Sequence, residues 1–167
     1  MGATGWSYFT PYQPDIEKAL QLLRQRIFKE GAYGKTHAFN PDMLSRLPGL
    51  KETVEQLRQL EDERLGGPDR KFGSIEELLE AAAEDGTHSI LDIEHTGDTP
   101  DFGVAWPAPG DVLEEVFGSS KPSRADIEAK PDGLAERLDL ERWQAVYVVV
   151  YADERPAEIY FEGVSGD

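Results

Sequence analysis

The run Ala145–Tyr151, AVYVVVY, constrains the fold of this chain more than any other stretch. β-branched and aromatic side chains favour a pleated backbone. A strand with one wet face alternates apolar and polar residues, whereas an unbroken apolar run belongs to a strand covered on both faces. Turn-forming residues follow at Asp153–Pro156, and AEIYFEGV reads as a returning strand. A β-hairpin at 143–162 is therefore expected at the centre of the sheet, and the other elements must pack around it.

Those elements can be read from periodicity. GWSYFTPY, 5–12, is aromatic and bounded by Gly and Pro, as a strand would be. In the next segment Ile16, Ala19, Leu20, Leu23 and Ile27 recur at helical spacing. Pro14 suits a first helical position, and Gly31 suits the stop. Residues 31–48 read as a loop with one helical turn after Asn40-Pro41. GLKETVEQLRQLEDERLGG reads as a second helix. A third follows in GSIEELLEAAAEDG, where Ser74 and Glu77 have capping-box spacing. THSILDIEHT alternates as a strand does, with Ser89, Leu91 and Ile93 on one side and His88, Ile90, Asp92 and Glu94 on the other. A short strand around 103–106, a short helix in GDVLEEVFG and one or two turns broken by Pro131 and Gly133 complete the order. A block of helices followed by strands with helices between them favours α+β. The expectation is one globular domain over 1–167, with a mainly antiparallel sheet of four to five strands and helices packed against it.

At 167 residues, folding buries roughly 70% of the unfolded chain's surface, enough for a self-sufficient core. The chain has no cysteine, which excludes disulfides, thiolate catalysis and zinc–thiolate or iron–sulfur sites. No run approaches the ~18 apolar residues of a membrane span. MGATGWSYF has neither a basic nor an apolar leader region, and Trp6 stands where a myristoylation signal needs Ser or Thr. The expected compartment is the cytoplasm.

Charge is the strongest compositional fact. The net charge is −16. Residues 1–73 carry eleven Lys/Arg against ten Asp/Glu, and residues 74–167 carry six against twenty-three, so the excess lies entirely in the second part. A field of this sign repels phosphate backbones and anionic lipid and attracts cations. Nucleic acid and membrane are excluded as expected partners, and a basic protein is favoured.

Motifs for chemistry are weak. Gly34-Lys35-Thr36 resembles the end of a phosphate loop, but Lys29 stands where the first glycine belongs. Asp92, Glu94, Thr96 and Gly97 match the start of a calcium loop, whose twelfth position is Gly103 instead of Glu. EGVSGD lacks the spacing of a serine nucleophile elbow. If the 87–96 alternation holds, His88, Asp92 and Glu94 share a strand face, and a metal would need a further donor such as His37. The simpler alternative is a solvated strand end. Trp6, Tyr8, Phe9 and Tyr12 form a candidate aromatic platform, and an exposed tail with Tyr160, Glu162 and Asp167 is a candidate docking segment.

These readings lead to a non-enzymatic acidic protein-interaction module, with an immunity- or antitoxin-like inhibitor of a basic protein as one version. The alternative is a small metal-binding protein or metal-dependent enzyme using residues 85–101. No cofactor is expected for the first reading.

Overall fold

A computed structural model of the protein describes residues 4–33, 72–84 and 86–166. The expected second helix, the loop ahead of it from residue 34 on, with Gly34-Lys35-Thr36 and His37, and Asp167 lie outside the described residues. The described chain is α+β. Five strands form one sheet in the order β1-β5-β4-β3-β2: β1 Gly5–Pro11, β2 His95–Thr96, β3 Val104–Pro107, β4 Gln144–Ala152 and β5 Arg155–Val164. The sheet is mixed. The two long ladders, β1 with β5 and β4 with β5, are antiparallel, whereas β2 with β3 and β3 with β4 are parallel. A parallel neighbour needs a crossover. The segment between Pro107 and Gln144 provides it with three short helices, α3 Gly110–Phe117, α4 Arg124–Glu128 and α5 Gly133–Leu138.

The hairpin lies inside the sheet, as its composition requires. Ala145 belongs to one core, together with Trp6, Ile159 and Phe161, and against it pack α1 Ile16–Glu30 and α2 Ile75–Ala81. Val146, Val148, Val150 and Tyr160 face the other core, with Val112, Leu113, Val116, Ile127 and Leu134 from α3, α4 and α5. Period-two alternation thus supplies two apolar faces. The turn is Asp153-Glu154, with φ of 49° and 62°. Two successive left-handed residues match the twist of a two-residue hairpin loop.

Helix α1 buries Ala19, Leu20, Leu23 and Ile27. It starts two residues later than Pro14 implies, because the Asp15 side chain caps it by accepting from the Lys18 amide. Gly31, at φ 65°, ends it. At α2, Ser74 accepts from the Glu77 amide, but the Glu77 carboxylate reaches the Gly73 amide instead of closing the box on Ser74.

The expected strand at 87–96 is largely absent. Gly86 and His88 adopt φ of 80° and 51°, and Ile90–Asp92 form a 3₁₀ turn whose Leu91 amide bonds Ser89 Oγ. Two reversals of backbone hand cannot occur within a pleated strand. The turn lets the neighbours Ile90 and Leu91 point inward together, with Ile93 beside them, and all three are buried. Only His95 and Thr96 join the sheet. This short edge strand is held from the side. The Glu17 carboxylate accepts from the Thr96 amide at 2.7 Å and its hydroxyl at 2.9 Å, Gln21 donates to the Glu94 carbonyl at 2.8 Å, and Arg24 donates to Leu91 O at 3.4 Å. The polar stripe of α1 therefore satisfies backbone that an open edge would expose. Partial burial works against ionising Glu17, but the hydrogen bonds from Gln21 and Thr96 outweigh it and hold its carboxyl below its ordinary range.

Candidate functional site

Two carboxylates are buried among the described residues, Asp92 and Glu162. A buried charge is costly unless donors surround it, so each marks a place where the fold has been arranged around it. Asp92 Oδ1 accepts from the Thr87 amide at 2.6 Å and its hydroxyl at 2.8 Å, and Oδ2 accepts from Ser165 Oγ at 2.9 Å. The Thr87 and Ser89 hydroxyls are 2.7 Å apart. Burial pushes the Asp92 carboxyl above its ordinary range, against the opposing effect of these donors and of nearby His88. Gly86 leaves the space that Asp92 and the Trp143 ring occupy. A methyl group at Gly166 would overlap the Trp143 indole, so the segment after β5 passes directly beneath that ring. The network ties residues 86–92 to the end of β5. In a serine nucleophile relay an imidazole stands between hydroxyl and carboxylate. Here Ser165 donates straight to Asp92, an arrangement that anchors chain segments rather than activating the hydroxyl.

Glu162 lies on the other face. Its Oε1 accepts from the Ala135 amide at 2.5 Å, and its Oε2 accepts from the Tyr160 hydroxyl at 2.9 Å. Asp132, the residue before α5, has φ 60° and makes no side-chain cap. A carboxylate from β5 thus satisfies an amide in the first turn of α5, the role a local cap normally fills. Burial pushes the Glu162 carboxyl up despite these donors, and the charge of Asp132 adds to the rise. Burial and the Glu162 charge together push the Tyr160 phenol up as well.

The residues expected to form surfaces are therefore distributed differently. Tyr160 and Glu162 do not form an exposed tail: both are buried, because β5 continues to Val164 inside the sheet. Trp6 is also buried, under α1 and beside Gly163, while Tyr8 and Tyr12 are half-buried against the same core. Burial pushes the Tyr8 phenol up to about 12. His88, Asp92 and Glu94 do not share a strand face. The 3₁₀ turn sends Asp92 inward and leaves Glu94 exposed, with His88 half-buried ahead of the turn. Among the described residues no three His, Asp or Glu side chains converge where they could hold a metal ion. Among the same residues no helix is long and apolar enough to cross a membrane.

Because Asp92 and Glu162 are the only buried carboxylates described, the other described acids of the second part lie at the surface. The helical layer exposes Asp111, Glu114, Glu115, Glu128, Asp132, Glu136, Asp139 and Glu141. Its bases are already engaged in part. Arg124 pairs with Glu128 at 2.8 Å and with Glu158 at 2.7 Å, Arg137 pairs with Glu115 at 2.7 Å, and Lys130 donates to the Val116 carbonyl. What remains outward is predominantly anionic.

One surface feature escaped the sequence reading. Phe102 is 64% exposed, and its ring lies against Trp143 with centroids 5.4 Å apart and planes at 37°. Trp143 has φ 66°, an uncommon conformation for a bulky residue. Phe102 had a signal, an aromatic residue inside the turn-forming run Thr99-Pro100-Asp101-Phe102-Gly103. Trp143 had none, since its contacts come from segments distant in the chain. The chain matches no family model, no curated protein and no solved structure at a significant level.

Proposed function

We propose that this protein is a non-enzymatic, acidic interaction module that binds a basic protein in the cytoplasm. The observation carrying this reading is the outward placement of the charge excess. Of the acids described, all but Asp92 and Glu162 are at least partly exposed, and two of the few arginines beside them are neutralised by ion pairs. A surface of one sign raises the encounter rate with an oppositely charged partner and repels like-charged competitors. Inhibition of a basic enzyme or toxin, as immunity proteins and antitoxins achieve it, is the specific version this chemistry suits best.

The test is affinity capture from lysate of the source organism at low salt, followed by reconstitution of the captured protein with the purified chain. The expected result is one basic protein that forms a stoichiometric complex, with affinity falling steeply as salt rises. Capture of nothing specific, or of a partner whose affinity is indifferent to salt, would overturn the reading.

A further inference from the structure

We infer that the Phe102–Trp143 step is where this module grips its basic partner, by receiving an arginine side chain across the two rings. The inference rests on the acidic-module reading and locates its contact. Among the described residues Phe102 and Leu22 are the large hydrophobic side chains left exposed, at 64% and 48%. A single exposed apolar residue is ordinary. Phe102 differs in being held in place. The Gly103 amide donates to the Trp143 carbonyl at 2.8 Å, the Glu94 amide donates to the Gly103 carbonyl at 2.7 Å, and Asp101 Oδ1 accepts from the Phe102 amide at 2.8 Å. The tip of the loop before β3 is thus tied both to the residue that precedes β4 and to the residue that precedes β2. Little order remains to be imposed on binding, which favours affinity.

The occupant follows from charge. The segments that build the step, 94–103 and 141–143, contain four acids, Glu94, Asp98, Asp101 and Glu141, against one arginine, Arg142, and one histidine, His95. The Glu94 stem packs beside Gly103, immediately after Phe102, where a methyl group on Gly103 would lie 3.5 Å from Glu94 Cγ. Aromatic faces attract cations, and the acidic residues of the same segments reinforce that preference and disfavour phosphate and carboxylate ligands. Arginine fits better than lysine, since its planar guanidinium stacks on rings and donates sideways to carboxylates in the same pose. Trp143, the residue before β4, stands in a left-handed conformation with its ring beside Phe102 and its indole packed against Gly86 and Gly166.

The experiment is an NMR titration of the isotope-labelled full chain with an oligoarginine peptide and with an oligolysine peptide of equal length, at low salt. The expected result is saturable movement of the Trp143 indole N–H and of the Phe102 and Gly103 amides, with oligoarginine the tighter ligand. Phe102→Ala should weaken binding about tenfold while leaving amides remote from the loop unmoved. Arg142→Ala should tighten it. If the peptides bind but move other acidic surfaces, or if Phe102→Ala binds as tightly as the unaltered protein, the location is overturned and the acidic-module reading stands. If neither peptide binds saturably at low salt, both are overturned.

Discussion

Replacing Gly163 with alanine should destabilise the protein through one identifiable collision. Gly163 sits on β5 between Trp6 on β1 and Ala145 on β4, its register partners on either side. An added methyl group would overlap Cζ2 of Trp6, come within 2.5 Å of its Cη2 and within 2.9 Å of Ala145 Cβ. Neither neighbour has an easy escape. The indole is 2% exposed beneath α1, and Ala145 Cβ is fixed to a central strand. Overpacking a close-packed interior costs about 1–3 kcal/mol, and two constrained neighbours put this site near the upper figure. For a chain of this size each 1 kcal/mol lowers Tm by about 2–4 °C, so a drop of roughly 6–12 °C is expected. The assay is urea unfolding of wild type, Gly163→Ala, Trp6→Leu and the double variant. Leucine at position 6 removes the colliding ring atoms at a cost of its own, so the double variant should lose less than the sum of the singles by at least about 1 kcal/mol. A Gly163→Ala loss below about 0.5 kcal/mol, or strict additivity in the cycle, would refute the packing argument.

Further expectations concern the buried and edge carboxylates. Burial raises the Asp92 and Glu162 carboxyls in the folded protein, so the folded state binds more protons than the unfolded chain between the ordinary carboxylate range and those raised values. Stability should therefore fall as pH rises through that window and level off above it. Glu162→Gln should flatten this slope, and urea midpoints from mildly acidic to neutral pH that run parallel to wild type would contradict the assignment. Glu17→Ala removes both bonds to Thr96. Hydrogen exchange of the Thr96 amide should accelerate by about tenfold or more, while amides within the β4–β5 ladder keep their rates. Unchanged exchange at Thr96 would show that the edge strand does not depend on α1.

Local patterns in the sequence carry over to the fold where they rest on short-range periodicity. The unbroken run at Ala145–Tyr151 predicted a doubly covered strand, and it lies between two cores. The Ile16–Ile27 spacing predicted the buried stripe of α1, whose Ala19, Leu20, Leu23 and Ile27 are all inside. The 87–96 segment shows the limit of the same logic. Its alternation looked like a strand, yet Thr87 and Ser89 serve the Asp92 network, and a donor from Ser165, seventy-three residues away, completes it. A pattern of side-chain polarity cannot reveal that the polar positions are buried by partners distant in the chain.

The sequence by itself determined the α+β class, the central hairpin and the anionic balance, because propensity, periodicity and charge are properties of neighbouring residues or of simple sums. Only the tertiary structure decided that the sheet is mixed, that Tyr160 and Glu162 are interior rather than a docking tail, and that Phe102 is held outward against Trp143. Each of these depends on which strand lies beside which. Glu162 is tolerated inside because α5 turns its Ala135 amide toward it, and a buried charge survives only where the folded chain brings a donor to meet it.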